Sequence, residues 1–231
     1  MLEKDQILPS ITTVGKADWR TQIKDARDLG ITEAGLFLNG LDMKGRAELC
    51  DLLGDSSITS IPVVHLKNDV TEMEVEYFFN EYSTKVFTTH SGAEYPFYTA
   101  LPKFEKNIFI ENTSILFNEN ELRRYGGICL NISHLENERL HDRERYDYFR
   151  NLLDVYLVGC NYISAMKKEI LSDAGRPQHD SYFLKNNSEL DYILNYPKNY
   201  FSNFIVLELE NDLKTQLEAK DHIFDLIKDR Y

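Results

Sequence analysis

The stretch NIFIENTS, residues 107–114, has the alternating pattern of a buried β-strand. Ile108 and Ile110 lie on one face of such a strand, and Phe109 and Glu111 lie on the other. A carboxylate on a buried face is unusual, because it is costly to remove from water unless it gains hydrogen-bond donors, a cation or a proton. Glu111 therefore raises the question of how the other strands end.

Seven other short apolar runs resemble this one, and amphipathic segments of helical periodicity separate most of them. The eight predicted strands cover residues 6–13, 32–40, 58–67, 85–91, 107–114, 127–134, 157–166 and 203–210. The predicted helices cover residues 17–30, 43–54, 70–83, 118–126, 143–156, 187–197 and 212–231. The chain therefore repeats one strand and one helix along its whole length.

Regular strand–helix alternation is typical of a parallel sheet, and eight units of about 30 residues predict a closed barrel. We expect an α/β protein with a single (β/α)8 TIM-barrel domain over residues 1–231. An open doubly wound sheet is the alternative. It normally brings a glycine-rich phosphate-binding turn after an early strand, and the sequence has no such turn.

The charge of the chain restricts its partners. There are 26 Lys and Arg against 38 Asp and Glu, so the formal net charge is −12. This balance disfavours nucleic acids and anionic membranes. Cys50, Cys129 and Cys160 are scattered and odd in number, which predicts reduced thiols rather than a disulfide framework or a zinc site. With no segment resembling a signal peptide or a membrane span, we expect a cytoplasmic protein, and association with identical copies remains open.

Polar residues recur near the carboxyl ends of the predicted strands, on the face opposite the aliphatic row. Five strands carry one, namely His65, His90, Glu111, Asn131 and Glu208. In a barrel this face points inward, and barrel enzymes keep their chemistry where the strands end. The pattern predicts that these residues form one ring at the mouth.

Several short motifs occur in order on successive strands: HLK (65–67), HSG (90–92), FIEN (109–112), LNISH (130–134), YISAM (162–166), HDS (179–181) and VLELE (206–210). On these motifs the chain resembles the xylose-isomerase-like superfamily of (β/α)8 barrels. That superfamily contains sugar isomerases and epimerases and the related apurinic endonucleases. The resemblance covers nearly the whole chain.

The resemblance implies a divalent metal, Mn²⁺, Mg²⁺ or Zn²⁺, at the mouth. Epimerase-like members bind it with Glu, Asp, His and Glu from the fifth to eighth strands, positions held here by Glu111, Asn131, Tyr162 and Glu208. Asn131 and Tyr162 depart from that pattern, and His179 in the following loop is the candidate replacement ligand. The predicted metal site is therefore Glu111, Asn131, Glu208 and His179.

The implied function is metal-assisted proton transfer next to the carbonyl of a sugar or sugar phosphate, in an isomerase or epimerase. Glu111 and Glu208 are the predicted catalytic residues. The predicted binding residues for a carbohydrate-like small molecule are His134, His65, His90 and Tyr162. One alternative is a metal-free, non-catalytic barrel that binds a small polyol or a protein partner. The other, an apurinic endonuclease-like hydrolase, is disfavoured by the acidic charge.

Overall fold

The computed structural model of the protein describes residues 3–173 and 176–228. These residues form eleven strands: β1 (Ile7–Leu8), β2 (Ser10–Thr12), β3 (Gly35–Phe37), β4 (Val63–His65), β5 (Val86–Thr89), β6 (Ile108–Glu111), β7 (Gly127–Asn131), β8 (Val158–Ile163), β9 (Ala165–Asp173), β10 (Arg176–Ser181) and β11 (Ile205–Leu207). They also form seven α-helices: α1 (Trp19–Asp28), α2 (Met43–Gly54), α3 (Glu72–Glu81), α4 (Glu119–Arg124), α5 (Ile132–His141), α6 (Arg143–Leu153) and α7 (Leu213–Ile227).

Nine of these strands make one parallel sheet, in the order β1-β11-β8-β7-β6-β5-β4-β3-β2. The two end strands, β1 and β2, are consecutive pieces of chain separated only by Pro9. Proline has no N–H for a strand ladder, so one continuous first strand is recorded as two. Because β1 pairs with β11 and β2 pairs with β3, the sheet closes on itself. The predicted (β/α)8 barrel is confirmed.

Side chains on the inward face of each strand fill the inside of the barrel. One apolar cluster occupies it, consisting of Leu8, Phe37, Val63, Val86, Phe109, Cys129, Cys160, Tyr162 and Val206. The opposite faces pack against the surrounding helices in two larger clusters. Cys129 and Cys160 are free thiols in register on neighbouring strands, and burial raises the pKa of the Cys129 thiol, which stays protonated.

Most helices begin where a side chain caps the first turn. The capping residues of α1, α2, α3, α5, α6 and α7 are Asp18, Asp42, Thr71, Asn131, Asp142 and Asp212. Each accepts a hydrogen bond from a backbone N–H three residues later, which satisfies a donor that the helix leaves unpaired. Among them only Asn131 also ends a barrel strand, so β7 passes into α5 without a loop.

Three segments differ from the sequence-based expectation. The predicted strand over 127–134 ends at Asn131, because Ile132 already begins α5. The stretch that follows the seventh strand forms the antiparallel hairpin β9–β10 instead of an irregular loop. The predicted helix over 187–197 is a 3₁₀ helix, Asn187–Asn195. No helix in the described part of the chain is long and apolar enough to cross a membrane.

Candidate active site

A cavity of about 560 Å³ opens at the carboxyl ends of the barrel strands, and we call it the mouth cavity. Glu111, the last residue of β6, and Glu208, the residue after β11, line it. Glu111 is 2% exposed and Glu208 is 8% exposed. Two acids separated by nearly a hundred positions therefore meet in one buried place, as the ring of strand ends predicted.

Asn131 holds the two acids together. Its amide nitrogen donates to Glu111 Oε1 at 2.9 Å and to Glu208 Oε2 at 2.9 Å. Its amide oxygen accepts a hydrogen bond from the backbone N–H of His134, and this hydrogen bond caps α5. Only an amide offers two N–H groups and a carbonyl from one short side chain. This double role explains an asparagine at position 131.

The pKa values of the two acids are shifted in opposite directions. Burial raises the pKa of Glu208 well above its usual range, and the negative charge of Glu111 raises it further. Burial also disfavours the charged form of Glu111, but its electrostatic interactions with His90, His65 and His134 and the hydrogen bond from Asn131 outweigh burial and leave the Glu111 pKa below its usual value. The opposite shifts make Glu111 the member of the pair that ionises more readily and Glu208 the member that keeps its proton to higher pH.

Three histidines surround Glu111. The Nδ1 atom of His65 lies 3.5 Å from Glu111 Oε2, and the Nε2 atom of His90 lies 3.7 Å from the same oxygen. The Nδ1 atom of His134 lies 3.6 Å from Glu111 Oε1 and donates to the Asn112 carbonyl at 2.9 Å. None of these contacts to Glu111 is a close hydrogen bond.

Burial makes His65 a source of acid sensitivity, because it lowers the His65 pKa from 6.5 to about 4. Between these pH values the unfolded chain binds a proton at this residue that the folded chain does not. The stabilisation is complete above pH 6.5 and is lost as the pH falls towards 4, by about 3 kcal/mol.

We expect His65→Gln to remove this part of the pH dependence. Urea unfolding from pH 7.5 to pH 4 should show a smaller loss of unfolding free energy in the variant than in the unmodified protein. His222→Gln, on the outer helix α7, is the control for replacing a histidine away from the mouth. Equal slopes for the His65 variant and the unmodified protein would contradict the assignment.

One oxygen of the pair is left for a ligand. Within the described residues, Glu111 Oε2 is buried and has no hydrogen-bond partner. The ligand atoms of His65, His90 and Glu111 lie within 4.8 Å of one another, which is the spacing that would be needed to hold an ion. A buried oxygen without a donor is costly, so this position favours a ligand that brings one.

Two of the residues predicted from the sequence lie elsewhere. Tyr162 is fully buried inside the barrel, one layer below the mouth, and its hydroxyl group contacts Thr88. His179 stacks on His141 with ring centroids 4.9 Å apart, and its Nδ1 atom contacts the Lys167 carbonyl at 2.8 Å. His179 therefore does not join Glu111 and Glu208 in the predicted metal site.

Other mouth residues were missed from the sequence. Asp180, in the predicted loop after the seventh strand, is buried on β10 with Oδ2 3.6 Å from His134 Nε2. Glu94 and Tyr95 lie in the aromatic-rich segment after β5, and Tyr182 follows the hairpin. Their only signal was position after a barrel strand, which does not tell which loop residues turn inward.

The mouth cavity is acidic. Its carboxylates are Glu94, Glu111, Glu138, Asp180 and Glu208, and its described lining residues include no Lys or Arg. Arg145 lies behind the wall and contacts Glu138 at 3.1 Å. The cavity therefore repels anions and favours neutral or cationic ligands.

Comparisons with known proteins give one informative result. No family model matches the sequence, and a search of curated proteins finds no match. Among solved structures, the chain is similar to the aldo-keto reductase AKR11C1 from Bacillus halodurans in its holo form, with a TM-score of 0.52 and 12% sequence identity. The match covers 94% of this chain and 86% of that chain.

This match corrects the resemblance proposed from the sequence. An aldo-keto reductase is also a (β/α)8 barrel, but it belongs to a different superfamily from the xylose-isomerase-like proteins. The predicted membership is wrong. The function that the resemblance implied, a metal-dependent isomerase or epimerase, is wrong as well.

The predicted Mn²⁺, Mg²⁺ or Zn²⁺ cofactor is wrong too, because aldo-keto reductases use NAD(P)H and not a divalent metal. The geometry gives a physical reason against the predicted ligand set. Asn131 turns its N–H groups, not its oxygen, towards both glutamates, and His179 lies outside the cavity lining. What the comparison establishes for this chain is the fold, a (β/α)8 barrel.

Proposed function

We propose that this protein is an enzyme that hydrolyses a glycosidic bond, with Glu111 as the nucleophile and Glu208 as the general acid and base. One observation carries the proposal. Two buried carboxyl groups, whose pKa values are shifted in opposite directions, share the amide of Asn131 at the mouth of the barrel. Carboxyl pairs with divided roles are the machinery of most glycoside hydrolases.

The spacing of the pair supports cleavage with retention of configuration. Glu111 Oε1 and Glu208 Oε2 each lie 2.9 Å from the same nitrogen, so they are at most about 5.8 Å apart, twice that bond length. Retaining enzymes hold their carboxyl groups about 5–5.5 Å apart, whereas inverting enzymes need about 6.5–9.5 Å to admit a water molecule. The pair is too close for the inverting arrangement.

The opposite pKa shifts suit the roles of the two carboxyl groups in both partial reactions. Protonated Glu208 gives its proton to the oxygen of the leaving group while Glu111 attacks the anomeric carbon, so that the old carbon–oxygen bond breaks and a glycosyl ester forms. Glu208, now ionised, then takes a proton from a water molecule that attacks the same carbon. The ester breaks, Glu111 leaves as a carboxylate, and Glu208 is protonated again. Each turnover consumes one water molecule and needs no other reactant.

The cavity also suits the ligand class. Hydroxyl groups donate to carboxylates, and Glu111 Oε2 is a buried acceptor that lacks a donor among the described residues. Tyr95 and Tyr182 add aromatic surface to the walls. An uncharged, hydroxyl-rich ring is not repelled by the acidic cavity, and its hydroxyl groups can donate to several carboxyl oxygens.

A carbonyl reductase is the second candidate, favoured by the similarity to an aldo-keto reductase. That chemistry requires NADH or NADPH, whose diphosphate is anionic. The mouth cavity presents carboxylates and no Lys or Arg among its described lining residues, so the residues present do not fit the cofactor.

Covalent trapping tests the proposal. A 2-deoxy-2-fluoro glycoside with a dinitrophenyl leaving group forms the glycosyl ester faster than water removes it, so the intermediate accumulates. We expect gluco-, galacto-, manno- and xylo-configured probes to include one that adds a single glycosyl mass to the peptide containing Glu111. The Glu111→Gln variant should acquire no mass.

The same protein preparation should be tested with dinitrophenyl glycosides of these four sugars and, separately, for NADPH oxidation with glyceraldehyde. Absence of labelling and of hydrolysis across the panel would remove the hydrolase assignment. NADPH oxidation would favour the reductase instead.

A further inference from the structure

A second cavity adjoins the mouth cavity, and we propose that it binds a second hydroxyl-rich unit of the substrate, so that the preferred substrate has at least two sugar units. We call it the side cavity. Its volume is about 280 Å³, and its lining includes Asn39, His65, Lys67, Asn68, His90 and Tyr95. The proposal rests on the proposed function, because it assigns the part of a glycoside that lies beyond the scissile bond.

The two cavities share a wall. Asn39, His90 and Tyr95 line both of them, so the two cavities are contiguous at these three residues. His90 links the side cavity to the catalytic pair, because its Nε2 atom lies 3.7 Å from Glu111 Oε2. The side cavity therefore begins beside the nucleophile, where the neighbouring unit of a bound saccharide is located.

The side cavity differs in chemistry from the mouth cavity. It has no carboxylate among its described lining residues, and it contains a lysine and two amides. Asn39 Oδ1 is buried and has no hydrogen-bond partner in the described chain. The Lys67 ammonium group has three N–H groups; it donates to the Leu41 carbonyl at 3.0 Å and lies 3.8 Å from Asp69 Oδ2. Donors and an unused acceptor side by side match the hydroxyl groups of a sugar.

Tyr95 supplies the apolar contact that sugar rings also need. Tyr95 is 51% exposed, and the centroid of its ring lies 5.3 Å from the centroid of the His90 ring. An aromatic ring with one free face at the junction of two cavities is a platform for the apolar face of a sugar, while its hydroxyl group stays in contact with water. Ring stacking at Tyr95 and hydrogen bonds at Asn39 and Lys67 together define the subsite.

Binding measurements test this subsite without requiring turnover. Titration calorimetry on the Glu111→Gln protein with maltose, cellobiose and lactose, and with the methyl glycosides of glucose and galactose, compares two-unit with one-unit ligands. We expect at least one disaccharide to bind tenfold or more tightly than its methyl monosaccharide. Tyr95→Ala and, separately, Lys67→Met should weaken that disaccharide at least fivefold more than they weaken the monosaccharide.

Tyr98→Ala is the matched control, since Tyr98 is a 76% exposed tyrosine of the same segment and does not line either cavity. Equal weakening of both ligand sizes in the Tyr95 and Lys67 variants, or no advantage of any disaccharide, would overturn the second subsite. Covalent trapping on Glu111 uses one-unit probes, so it tests the hydrolase function independently of the second subsite.

Discussion

Glu111→Gln is expected to lower kcat for glycoside hydrolysis by about 10³-fold or more. The substitution keeps the size of the side chain and the contact with Asn131, but a neutral amide does not form the glycosyl ester. The matching Glu208→Gln variant loses the proton donor, so its loss should depend on the leaving group. We expect a large loss with alkyl glycosides and a much smaller loss with dinitrophenyl glycosides, which leave without protonation.

Two further measurements separate a nucleophile from a residue that only maintains the fold. Azide should restore turnover to Glu111→Ala and yield a glycosyl azide, because a small anion enters the space that the carboxylate leaves. Removing the charge of Glu111 also removes one of the causes that raise the pKa of Glu208. The alkaline limb of the pH profile should therefore move to lower pH in the residual activity of Glu111→Gln.

The control is Glu136→Gln, which changes another buried glutamate to the same amide. Glu136 binds Arg139 and the Tyr196 hydroxyl group and does not line the mouth cavity. We expect a lower melting temperature with kcat within about twofold of the unmodified protein. Similar kcat values for the Glu111 and Glu136 variants would show that Glu111 is not the nucleophile.

The periodicity of the chain was enough to predict the barrel. Strand residues alternate between two faces, so Val63, Phe109 and Val206 share the inward face of the polar residues two positions later, and they lie inside the barrel. The same alternation placed Glu111 and Glu208 at one mouth, because in a parallel barrel all strands end on the same side. These inferences use only local geometry and the direction of the chain, which a sequence contains.

Other features depended on contacts that alternation does not encode. Asn131 was treated as a substitute for an aspartate, whereas it caps α5 and bridges two acids from distant strands. Asp180 lies in a segment that the sequence predicts as a loop, and the hairpin that buries it depends on pairing with β9. The family assignment failed for a related reason. Polar residues at strand ends are common to many (β/α)8 barrels, so short motifs at those positions do not separate one superfamily from another.

Asn131→Asp is expected to lower both activity and stability, although it only replaces the side-chain NH₂ group by an oxygen atom. The variant places a third carboxyl group between Glu111 and Glu208 and removes both N–H donors that bind them. A buried carboxylate without a partner either takes up a proton or destabilises the fold. We expect kcat/KM to fall by about 10²–10³-fold and the unfolding free energy to fall by about 3 kcal/mol, or about 6–12 °C in melting temperature.

The stability deficit of Asn131→Asp should depend on pH. A carboxyl group whose pKa is raised in the folded state contributes most below its unfolded pKa of about 3.9, and that contribution is lost as the pH rises. The stability deficit of Asn131→Asp should therefore be small at pH 4 and grow towards pH 8, as measured by thermal unfolding.

Asn118→Asp is the matched control, because Asn118 caps α4 at an exposed position by accepting from the Asn120 N–H. Aspartate caps a helix as well as asparagine does, so the Asn118 variant should retain its activity and change its melting temperature by less than about 2 °C at every pH. At position 131 the same cap is retained, since the oxygen that accepts from His134 N–H remains. Any difference between the two variants therefore measures the loss of the shared donor. If Asn131→Asp behaved like Asn118→Asp, the two glutamates would not need that donor, and the carboxyl pair would not be the coupled unit on which the proposed hydrolysis depends.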